Sequence, residues 1–592
     1  MSLQELNVNS LSLYLLLLKL WGQLRRKRRV QFIMLVAFMV IASFIEVLSL
    51  GALVPFLSVI AAPDTIMEEQ FMQPFLKYFE ITDASQLLTL ISILFCVSVI
   101  SAAAFRTALL RLMLLVSYSS GSELSCDAFE KILNQPYLAH INRNTSELIT
   151  IMGTKLNNAV AVVNNVLILL SSTIIAIGIL GILVAVQPKI SLILFAFFIA
   201  IYAGITAMFR TRLVYNSKRI AALGPLLVKT LQESLGGIRN IILDNSQKEF
   251  HTIYTKTDIA LRNAQSNTNF VSSSPRPIME ALGIVLIVVL AYSFSFRPEG
   301  VQGAIPILGF MALGAQRLLP ILQQAYAAWS FIRGEQQSLQ DILEILSQPV
   351  RIDKDYPLAG NFKFDQKITL KSVSFRFDDD LPWILKDFSL EISKGSWVGI
   401  VGETGSGKST LIDILMGLLR PNKGQIYIDD YALSESGYVY SWQSLVAHVP
   451  QVIFLSDSSI SENIAFGAHP NDIDHDYVRK CAKIAQISSV IDELPDGYET
   501  MVGERGVRLS GGQRQRIGIA RALYKRADII IFDEATNALD TATENEVMEA
   551  LENLPDNITV IMVAHRHSTL KNCSKVIDLS ISVESLTEAS SL

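Results

Sequence analysis

Cysteine and charged residues are scarce in this 592-residue sequence, and their scarcity argues against several classes of protein. Only 18% of its residues are charged, its net charge is −5, and it has 4 cysteines. Cys96, Cys126, Cys481 and Cys573 lie far apart, so we expect neither a disulfide framework nor a cysteine-bound metal, and a reducing cytosolic face is compatible. The small negative charge gives no indication of a nucleic-acid partner.

The N-terminus lacks the order of a cleavable signal peptide. Residues 11–20 are apolar, but the basic run at residues 25–29 follows them instead of preceding them, and no small-residue cleavage site is present. We expect residues 10–24 to form an interfacial helix that leads into a first membrane span, with the basic run on the cytosolic side.

Apolar residues make up 50% of the chain and are concentrated in residues 31–335. A membrane-crossing helix needs about 20 predominantly apolar residues. Six segments have this character and predict an α-helical six-span transmembrane domain: 31–61, 87–115, 160–186, 190–210, 277–296 and 303–332. The predicted layout has four parts: an interfacial segment (1–30), the membrane domain (31–335), a linker (336–362) and a C-terminal domain (363–592).

Basic residues predict the orientation of these spans. They are concentrated in segments 116–159 and 211–276, and the opposite loops carry few. Because cytoplasmic loops of membrane proteins carry the excess of Lys and Arg, we expect both termini in the cytoplasm. The turns in the middle of the two basic segments, near residues 136–146 and 235–245, are predicted to dock on a cytosolic motor, with ordinary loops as the alternative.

Charged residues inside the predicted spans are candidates for a substrate path. Charge in hydrocarbon is costly, so it usually faces a partner or an aqueous cavity. At a rise of about 1.5 Å per residue, Glu46 and Arg317 lie near mid-depth, and Glu280 lies nearer the cytosolic end. Arg106 and Arg111 of the second span would add to a cationic lining. The alternative is that Arg317 pairs with Glu46 and never meets substrate.

A glycine-rich segment between a predicted strand and a predicted helix indicates a phosphate-binding loop. Residues 399–417 read GIVGETGSGKSTLIDILMG, which contains the pattern G-x-x-x-x-G-K-[ST]. Its glycines let backbone N–H groups close on phosphates, Lys408 reaches the terminal phosphates, and the Ser409 hydroxyl coordinates Mg²⁺. The predicted ATP-contacting residues of the loop are Gly402, Glu403, Thr404, Gly405, Ser406, Gly407, Lys408, Ser409 and Thr410.

A second apolar strand, residues 529–532, ends in the acidic pair Asp533-Glu534. A carboxylate at such a position can hold Mg²⁺, and an adjacent one can polarise an attacking water. We therefore assign Asp533 to the metal and Glu534 to general-base chemistry.

The C-terminal motifs together resemble those of ATP-binding-cassette proteins. Residues 509–513 read LSGGQ, like the family's signature, and occur just upstream of the acidic strand. In family order, Gln451 resembles the Q-loop glutamine, Asp540 the D-loop aspartate and His565 the switch histidine, and residues 502–506 resemble the segment that touches docking helices in exporters. The resemblance implies an α/β P-loop ATP-binding-cassette domain, catalytic roles for Glu534, His565 and Gln451, and a metal contact by Gln451. It also implies nucleotide contacts by Phe377, which takes the place of the adenine-stacking aromatic, and by Ser510, Gly511, Gly512, Gln513 and Asp540.

The resemblance further implies a mechanism with two motors. Two such domains close head to tail over two ATP molecules, and each site combines the phosphate loop of one subunit with the signature of the other. This chain carries one of each motif, so the expected partner is a second copy of itself in a homodimer. Motor closure would turn the docking helices and open the cavity outward, and ATP hydrolysis with product release would reset it.

Three short stretches resemble exporters that flip lipid-linked oligosaccharides or export related glycolipids in envelope assembly. They are FIEVLSLGALVPFLSVI (44–60), SPRPIMEAL (274–282) and AQRLLPIL (315–322). The resemblance implies a bacterial inner-membrane location, membrane lipid as surroundings and a lipid-linked saccharide as substrate. Such a diphosphate-linked sugar is anionic at its polar end, and arginines at membrane depth suit it.

Two alternatives to this substrate class remain. A multidrug or lipid-A-type exporter has the same architecture, although its cavity would be expected to rely on aromatic and apolar contacts. A non-transporting, nucleotide-gated regulator or channel is an alternative of another class. The presence of both Glu534 and His565 argues against it, because a gate need not turn over ATP.

Overall fold

The structure of the chain is a computed structural model. It describes residues 13–61, 67, 73–79, 81–295, 300–348, 362–433, 438–534, 541–552, 558–563, 570–571 and 573–579. The chain divides into two compact units. The N-terminal unit comprises residues 1–135 and 140–350, and the C-terminal unit comprises residues 136–139 and 351–592. Each unit is described by itself below.

The described part of the N-terminal unit is built from helices. They are α1 (Leu13–Gln23), α2 (Arg26–Gly51), α3 (Leu53–Ala61), α4 (Gln73–Tyr78), α5 (Ala84–Leu133), α7 (Thr145–Thr150), a π-helical turn (Ile151–Lys155), α8 (Leu156–Val186), α9 (Pro188–Gly236), α10 (Ile238–Leu243), α11 (Gln247–Ser273), α12 (Pro275–Ser295), α13 (Gly300–Gly334) and α14 (Gln336–Ser347). The short helix α6 (Tyr137–Ile141) begins in the four residues assigned to the C-terminal unit.

The six predicted spans fall on these helices, which confirms the predicted fold class. The first lies on α2 and α3, the second on α5, the third on α8, the fourth on α9, the fifth on α12 as far as Ser295, and the sixth on α13. Within the described residues, three helical stretches are long and apolar enough to cross a membrane by length and composition: Arg26–Ile60, Ala84–Leu133 and Thr145–Val186. Several helices exceed the length of a bilayer crossing, as their sequence lengths predict.

Helix α14 lies where the sequence analysis predicts a linker. Its buried residues Leu339, Ile342, Leu343 and Leu346 follow the i, i+3, i+4, i+7 spacing of an amphipathic helix. They join the core cluster of the N-terminal unit that also contains Leu16 of α1. Residues 336–347 are therefore a packed element, because their apolar face has a core to bury against.

The C-terminal unit contains two sheets. One is antiparallel, with the order β2-β1-β4-β5, and the other is parallel, with the order β6-β7-β8-β3-β9. The strands are β1 (Lys367–Phe375), β2 (Leu385–Ser393), β3 (Trp397–Val401), β4 (Lys423–Ile428), β5 (Tyr431–Ala432), β6 (Val446–Val449), β7 (Ile529–Asp533), β8 (Thr559–Val563) and β9 (Lys575–Asp578). The helices are α15 (Lys408–Leu415), α16 (Tyr438–Leu445), α17 (Ile460–Ile464), α18 (His475–Ile484), α19 (Ser488–Asp492), α20 (Gly511–Tyr524) and α21 (Thr541–Glu552).

The parallel sheet positions the two motifs that the sequence analysis singles out. Strand β7 pairs with β6 and β8, and β8 pairs with β3. Residues 529–532 of β7 are all buried, as expected for a parallel strand covered on both faces. Parallel strands end at the same edge of a sheet. The glycine-rich loop after β3 and the acidic pair at the end of β7 therefore come to one edge.

Candidate functional site

The loop between β3 and α15 has the backbone that its glycines predict. Gly405 and Gly407 have φ angles of 89° and 93°, in the left-handed region that favours glycine. A Cβ added at Gly407 would lie 2.9 Å from Ile384 Cγ2, so the loop also passes close to its neighbours. Gly407 is the residue before α15, and the loop therefore leads into a helix N-terminus, where anions are favoured.

Lys408 holds its ammonium group over this loop. The residue is 8% exposed, and Nζ donates to the carbonyl oxygens of Gly402 (2.7 Å) and Glu403 (2.9 Å). Ser409 follows on the first turn of α15 and is exposed. A cation and a hydroxyl are thus gathered at a helix N-terminus after a glycine loop, which suits a polyphosphate.

The acidic pair at the end of β7 lies within electrostatic reach of Lys408. Burial raises the pKa of Asp533, the charge of Glu534 raises it further, and the Lys408 ammonium acts in the opposite direction. Gln451 Nε2 donates to Glu534 Oε2 at 2.7 Å. The Glu534 backbone N–H donates to the Val563 carbonyl at the end of β8 (3.0 Å). Four of the predicted site residues are therefore brought together.

A third carboxylate, Asp413, was not predicted as part of this site. It lies on α15, where burial and the charge of Asp533 raise its pKa to about 6. In the sequence it occupies an ordinary helical position after the glycine-rich loop. Its proximity to Asp533 depends on the pairing of strands far apart in the chain, so no local sequence signal indicates it.

The LSGGQ segment forms the start of α20 through a capping box. Gln513 N donates to Ser510 Oγ (3.2 Å), and Ser510 N donates to Gln513 Oε1 (2.8 Å). Ser510 and Gly511 are exposed at this helix start. The capping box orders the N-terminal turn, which leaves the helix N-terminus and its glycine backbone accessible to an anionic group.

A buried polar network joins α20 to the segment that follows Gln451. Arg521 of α20 donates from Nε to the Asn463 carbonyl (2.8 Å) and from Nη1 to the Phe454 carbonyl (2.9 Å). Asn463 is fully buried, and its Nδ2 donates to the Ser456 carbonyl (3.0 Å). Burial lowers the pKa of Arg521 to about 10, so it remains cationic at neutral pH. No motif in the sequence indicates these residues.

Phe377 lies just beyond β1 and is half-buried. Its ring meets that of Phe375 edge-on, with centroids 5.1 Å apart and an interplanar angle of 83°. An edge-on neighbour fixes the ring orientation without covering both ring faces, which is the requirement for a stacking platform.

The N-terminal unit pairs two of the charges predicted at mid-depth. Arg317 Nη1 donates to Glu46 Oε1 (2.9 Å) and to Ser49 Oγ (3.1 Å). The side chains are 26% and 12% exposed for Arg317 and Glu46, respectively. This is the pairing that the sequence analysis named as the alternative to substrate contact. Glu280 pairs with Arg276 within the first turns of α12, and both are exposed.

A cavity of about 460 Å³ lies in the N-terminal unit between α5, α8 and α13. Its polar lining includes Arg106 and Thr107 of α5, Asn165 of α8 and Gln324 of α13. A small cavity of about 10 Å³ is lined by both Glu46 and Arg106. Arg106 makes no hydrogen bond or ion pair to any described residue. Arg111 is also exposed but does not line the larger cavity.

Comparison with known proteins identifies the family. A family model described as "ABC transporter" matches residues 385–537, and one described as "ABC transporter transmembrane region" matches residues 31–303. The ATP-dependent lipid A-core flippase of Idiomarina loihiensis is 30% identical over 78% of this chain and 79% of its own length. The chain belongs to the ABC transporter family. It is an ATP-binding, multi-pass membrane exporter driven by ATP hydrolysis.

Further relatives support this architecture for the transporter. The lipid A-core flippase of Chromohalobacter salexigens is 28% identical over 77% of this chain and 78% of its own. A solved structure described as a bacterial Atm1-family ABC exporter with ATP bound shares the fold with a TM-score of 0.75. It covers 94% of each chain at 24% identity.

Not every predicted site residue of the transporter falls in the described part of the chain. Asp540 and His565 lie outside the described residues. The other predicted nucleotide-site residues fall on the loop after β3, the Gln451 segment, the end of β7, the start of α20 and Phe377. Each of these motifs is local in the sequence, and only their assembly requires the fold.

Proposed function

We propose that this ABC exporter moves an anionic glycolipid, of the lipid-linked oligosaccharide class or a related envelope glycolipid, across the bacterial inner membrane. The observation that carries the proposal is the cavity lined by Arg106, whose guanidinium makes no hydrogen bond or ion pair to any described residue and lies beside neutral hydrogen-bonding side chains. The relatives of this chain include proteins named lipid A-core flippase, whose names describe a glycolipid substrate.

The cavity lining suits the parts of such a molecule. A guanidinium matches phosphate oxygens with a planar fork of N–H donors. The amides of Asn165 and Gln324 can donate to and accept from sugar hydroxyls. Leu110, Met113 and Ile168 add apolar surface for a lipid chain. In this proposal Arg106 is the principal substrate-path residue.

Glu46 and Arg317 take a supporting role in the same proposal. Their hydrogen bond joins α2 to α13, and Glu46 also faces Arg106 across the small cavity. A carboxylate shared by two guanidinium groups leaves a net positive charge, which an anionic head group would neutralise. Arg111, exposed one turn further along α5, is left as a contributor to the approach path.

The nucleotide site is proposed to work as a composite site in a homodimer. In one subunit, ATP would be bound by the loop from Gly402 to Thr410 and by Phe377. Its γ-phosphate would meet the signature residues of the partner copy, with Asp540 nearby; these are Ser510, Gly511, Gly512 and Gln513. Hydroxyl, amide and carboxylate oxygens from Ser409, Gln451 and Asp533 fit Mg²⁺, which favours few carboxylates plus phosphate oxygens. The ion would supply charge neutralisation at the phosphates.

Glu534 is proposed as the general base. Its carboxylate is positioned by Gln451 and by the backbone bond to Val563, so it can accept a proton from a water aimed at the γ-phosphate. His565 is proposed to contact the same phosphate. Both termini and the nucleotide-binding domain are proposed to be cytoplasmic, on the basis of the positive charge in segments 116–159 and 211–276.

Motor and membrane domain are proposed to communicate through the turns at residues 136–146 and 235–245. Residues 136–139 group with the C-terminal unit, and Leu138 packs against its core cluster. The C-terminal unit also exposes Val452, Phe454 and Val507 on adjacent segments. A Cβ added at Gly506 would lie 2.7 Å from Leu455, which shows that the two segments touch.

Transport by proteoliposomes tests the proposal. We expect ATP-dependent movement of a fluorescent polyprenyl-diphosphate oligosaccharide by the wild-type protein and none by Glu534→Gln. Arg106→Gln should retain ATP hydrolysis and lose transport, whereas Arg276→Gln, at the exposed end of α12, should retain both.

The outcomes separate the candidate substrates. Movement of a lipid A-core glycolipid but not of the polyprenyl substrate would favour the lipid-A-type alternative, which the names of the relatives also favour. Normal ATP hydrolysis with no movement of either glycolipid would reject the glycolipid proposal and leave the multidrug alternative. Ion conductance gated by nucleotide without transport would favour the regulator or channel class.

A further inference from the structure

The junction between α1 and α2 carries more positive charge than nearby carboxylates neutralise. Residues 25–29 read RRKRR. Arg25 pairs with Asp127 (2.9 Å) and Arg28 with Glu123 (3.0 Å), both on α5. Five basic residues therefore meet two carboxylates, which leaves an excess of three positive charges at this point.

The remaining three basic residues differ in their surroundings. Arg29 donates to the backbone carbonyls of Gly22 (2.6 Å) and Leu24 (2.9 Å) at the end of α1, which fixes its direction. Arg26 and Lys27 are exposed and make no hydrogen bond or ion pair to any described residue. Their charges are available to an anionic group from outside.

A groove of about 540 Å³ opens beside this junction, between α2 and α5. Arg28 and Gln31 line one end, and the rest is mainly apolar, including Met34, Phe38, Leu112 and Leu115. From Arg28 to Phe38 the helix rises about 15 Å, which is half of the roughly 30 Å hydrocarbon core of a bilayer. The groove thus has a charged end and the depth of one leaflet.

We propose that this groove binds an anionic phospholipid of the cytoplasmic leaflet. One acyl chain lies along the apolar lining, and the head-group phosphate lies between Arg28 at the mouth and the exposed cations of Arg26 and Lys27. Clusters of basic residues immediately cytoplasmic of a membrane helix attract anionic lipid, and here the groove gives that attraction a defined place. None of its lining residues lines the cavity of Arg106, so the bound lipid is distinct from the proposed cargo.

Native mass spectrometry of the delipidated full-length protein tests this inference. Phosphatidylglycerol and phosphatidylcholine with matched chains are titrated into the wild type and into Arg26→Gln/Lys27→Gln. Each basic residue near a membrane surface contributes about a fivefold change in affinity, so the double variant should bind phosphatidylglycerol about 30-fold more weakly. Leu115→Trp, which fills the groove without changing charge, should also reduce binding.

The controls are matched in charge and in size. Lys248→Gln/Lys256→Gln removes two exposed charges from α11, and Val97→Trp adds a ring on α5 away from the groove; both should bind lipid like the wild type. Equal binding of both lipids, or unchanged binding in Arg26→Gln/Lys27→Gln, would overturn the proposal. Displacement of the lipid by inorganic phosphate would show that the site binds phosphate only. Loss of lipid binding in Arg106→Gln would show that binding to the cargo cavity was being measured.

Discussion

Glu534 follows the buried strand β7, and its φ of 52° lies in the left-handed region that non-glycine residues rarely adopt. The backbone bond to Val563 and the side-chain bond from Gln451 hold this geometry. Strained backbone at a carboxylate next to Asp533 and bonded to Gln451 is typical of a residue placed for chemistry instead of for stability.

Replacing this carboxylate should separate ATP binding from hydrolysis. Glu534→Gln keeps the hydrogen-bonding shape but removes the proton acceptor, so we expect phosphate release to fall by about 10²- to 10⁴-fold with ATP binding retained. Phosphate release and fluorescent-nucleotide binding measure the two steps. Glu499→Gln, an exposed surface change, is the control. Hydrolysis near the wild-type rate in Glu534→Gln would refute the general-base assignment.

Asp413 predicts a pH dependence of stability with a defined sign. Its folded pKa is raised to about 6, so the folded state binds more protons than the unfolded state between about pH 4 and 6. Stability from this group is therefore present at low pH and is lost as the pH rises through 6. Asp413→Asn should raise the unfolding temperature at pH 7.5 and change it little at pH 4.5. Equal shifts at both pH values would contradict this origin.

At the residue scale, local patterns predict roles for the phosphate loop, Asp533, Glu534 and Gln451 but give no indication of Asp413. The first four belong to short motifs whose spacing carries their chemistry. Asp413 owes its raised pKa to burial and to a neighbour 120 positions later in the chain, which only strand pairing brings close.

Among the elements, α20 links the LSGGQ turn to the segment after Gln451 through Arg521. Arg521→Ala would leave the carbonyl of buried Asn463 without its donor, at a cost of about 1–3 kcal/mol, and would also remove the bond to the Phe454 carbonyl. We expect a lower unfolding temperature and a reduced rate of ATP hydrolysis. Arg526→Ala, near the same helix end, removes an exposed ion pair with Asp474 (3.7 Å) and a cation–π contact with Tyr477; it is the control and should have a smaller effect.

The contact of α5 with α8 depends on a glycine. A Cβ added at Gly121 would lie 2.5 Å from Val160 Cγ2, whereas one added at Gly181 of α8 would meet nothing within 4 Å. Gly121→Ala should destabilise the helix pair by about 1–3 kcal/mol because it overpacks the contact. Gly181→Ala should be neutral or stabilising, since alanine is the better helix former. Thermal stability in detergent, followed by size-exclusion fluorescence, compares them.

Hydrophobic patterning predicts the spans of this chain, but the periodicity of residues 336–347 was not interpreted as a helix. The apolar runs predict the six spans, and the strand–loop–helix order predicts β3 and α15. The spacing of Leu339, Ile342, Leu343 and Leu346 is an amphipathic pattern, yet residues 336–347 read as a linker because no core was visible for that face to meet. The structure supplies it in the N-terminal unit.

For the whole molecule, the composite-site proposal predicts complementation between two inactive chains. Lys408→Ala disables the phosphate loop, and Ser510→Arg blocks the signature turn. A mixed dimer places both defects in one site and leaves the other intact, so co-expression at equal levels should restore roughly a quarter of wild-type hydrolysis. Tagged chains purified together measure this. Sites formed within single chains would give no recovery.

The two partners of the Glu46–Arg317 bond are synthesised at different times. The two residues are 271 positions apart. At about 5–20 residues per second, roughly 14–54 s pass between their appearance from the ribosome. During that interval α2 enters the membrane with a carboxylate that has no counter-charge, at a cost of about 2.5–3.5 kcal/mol if ionised. The apolar residues of α2 must retain the nascent first span until α13 arrives.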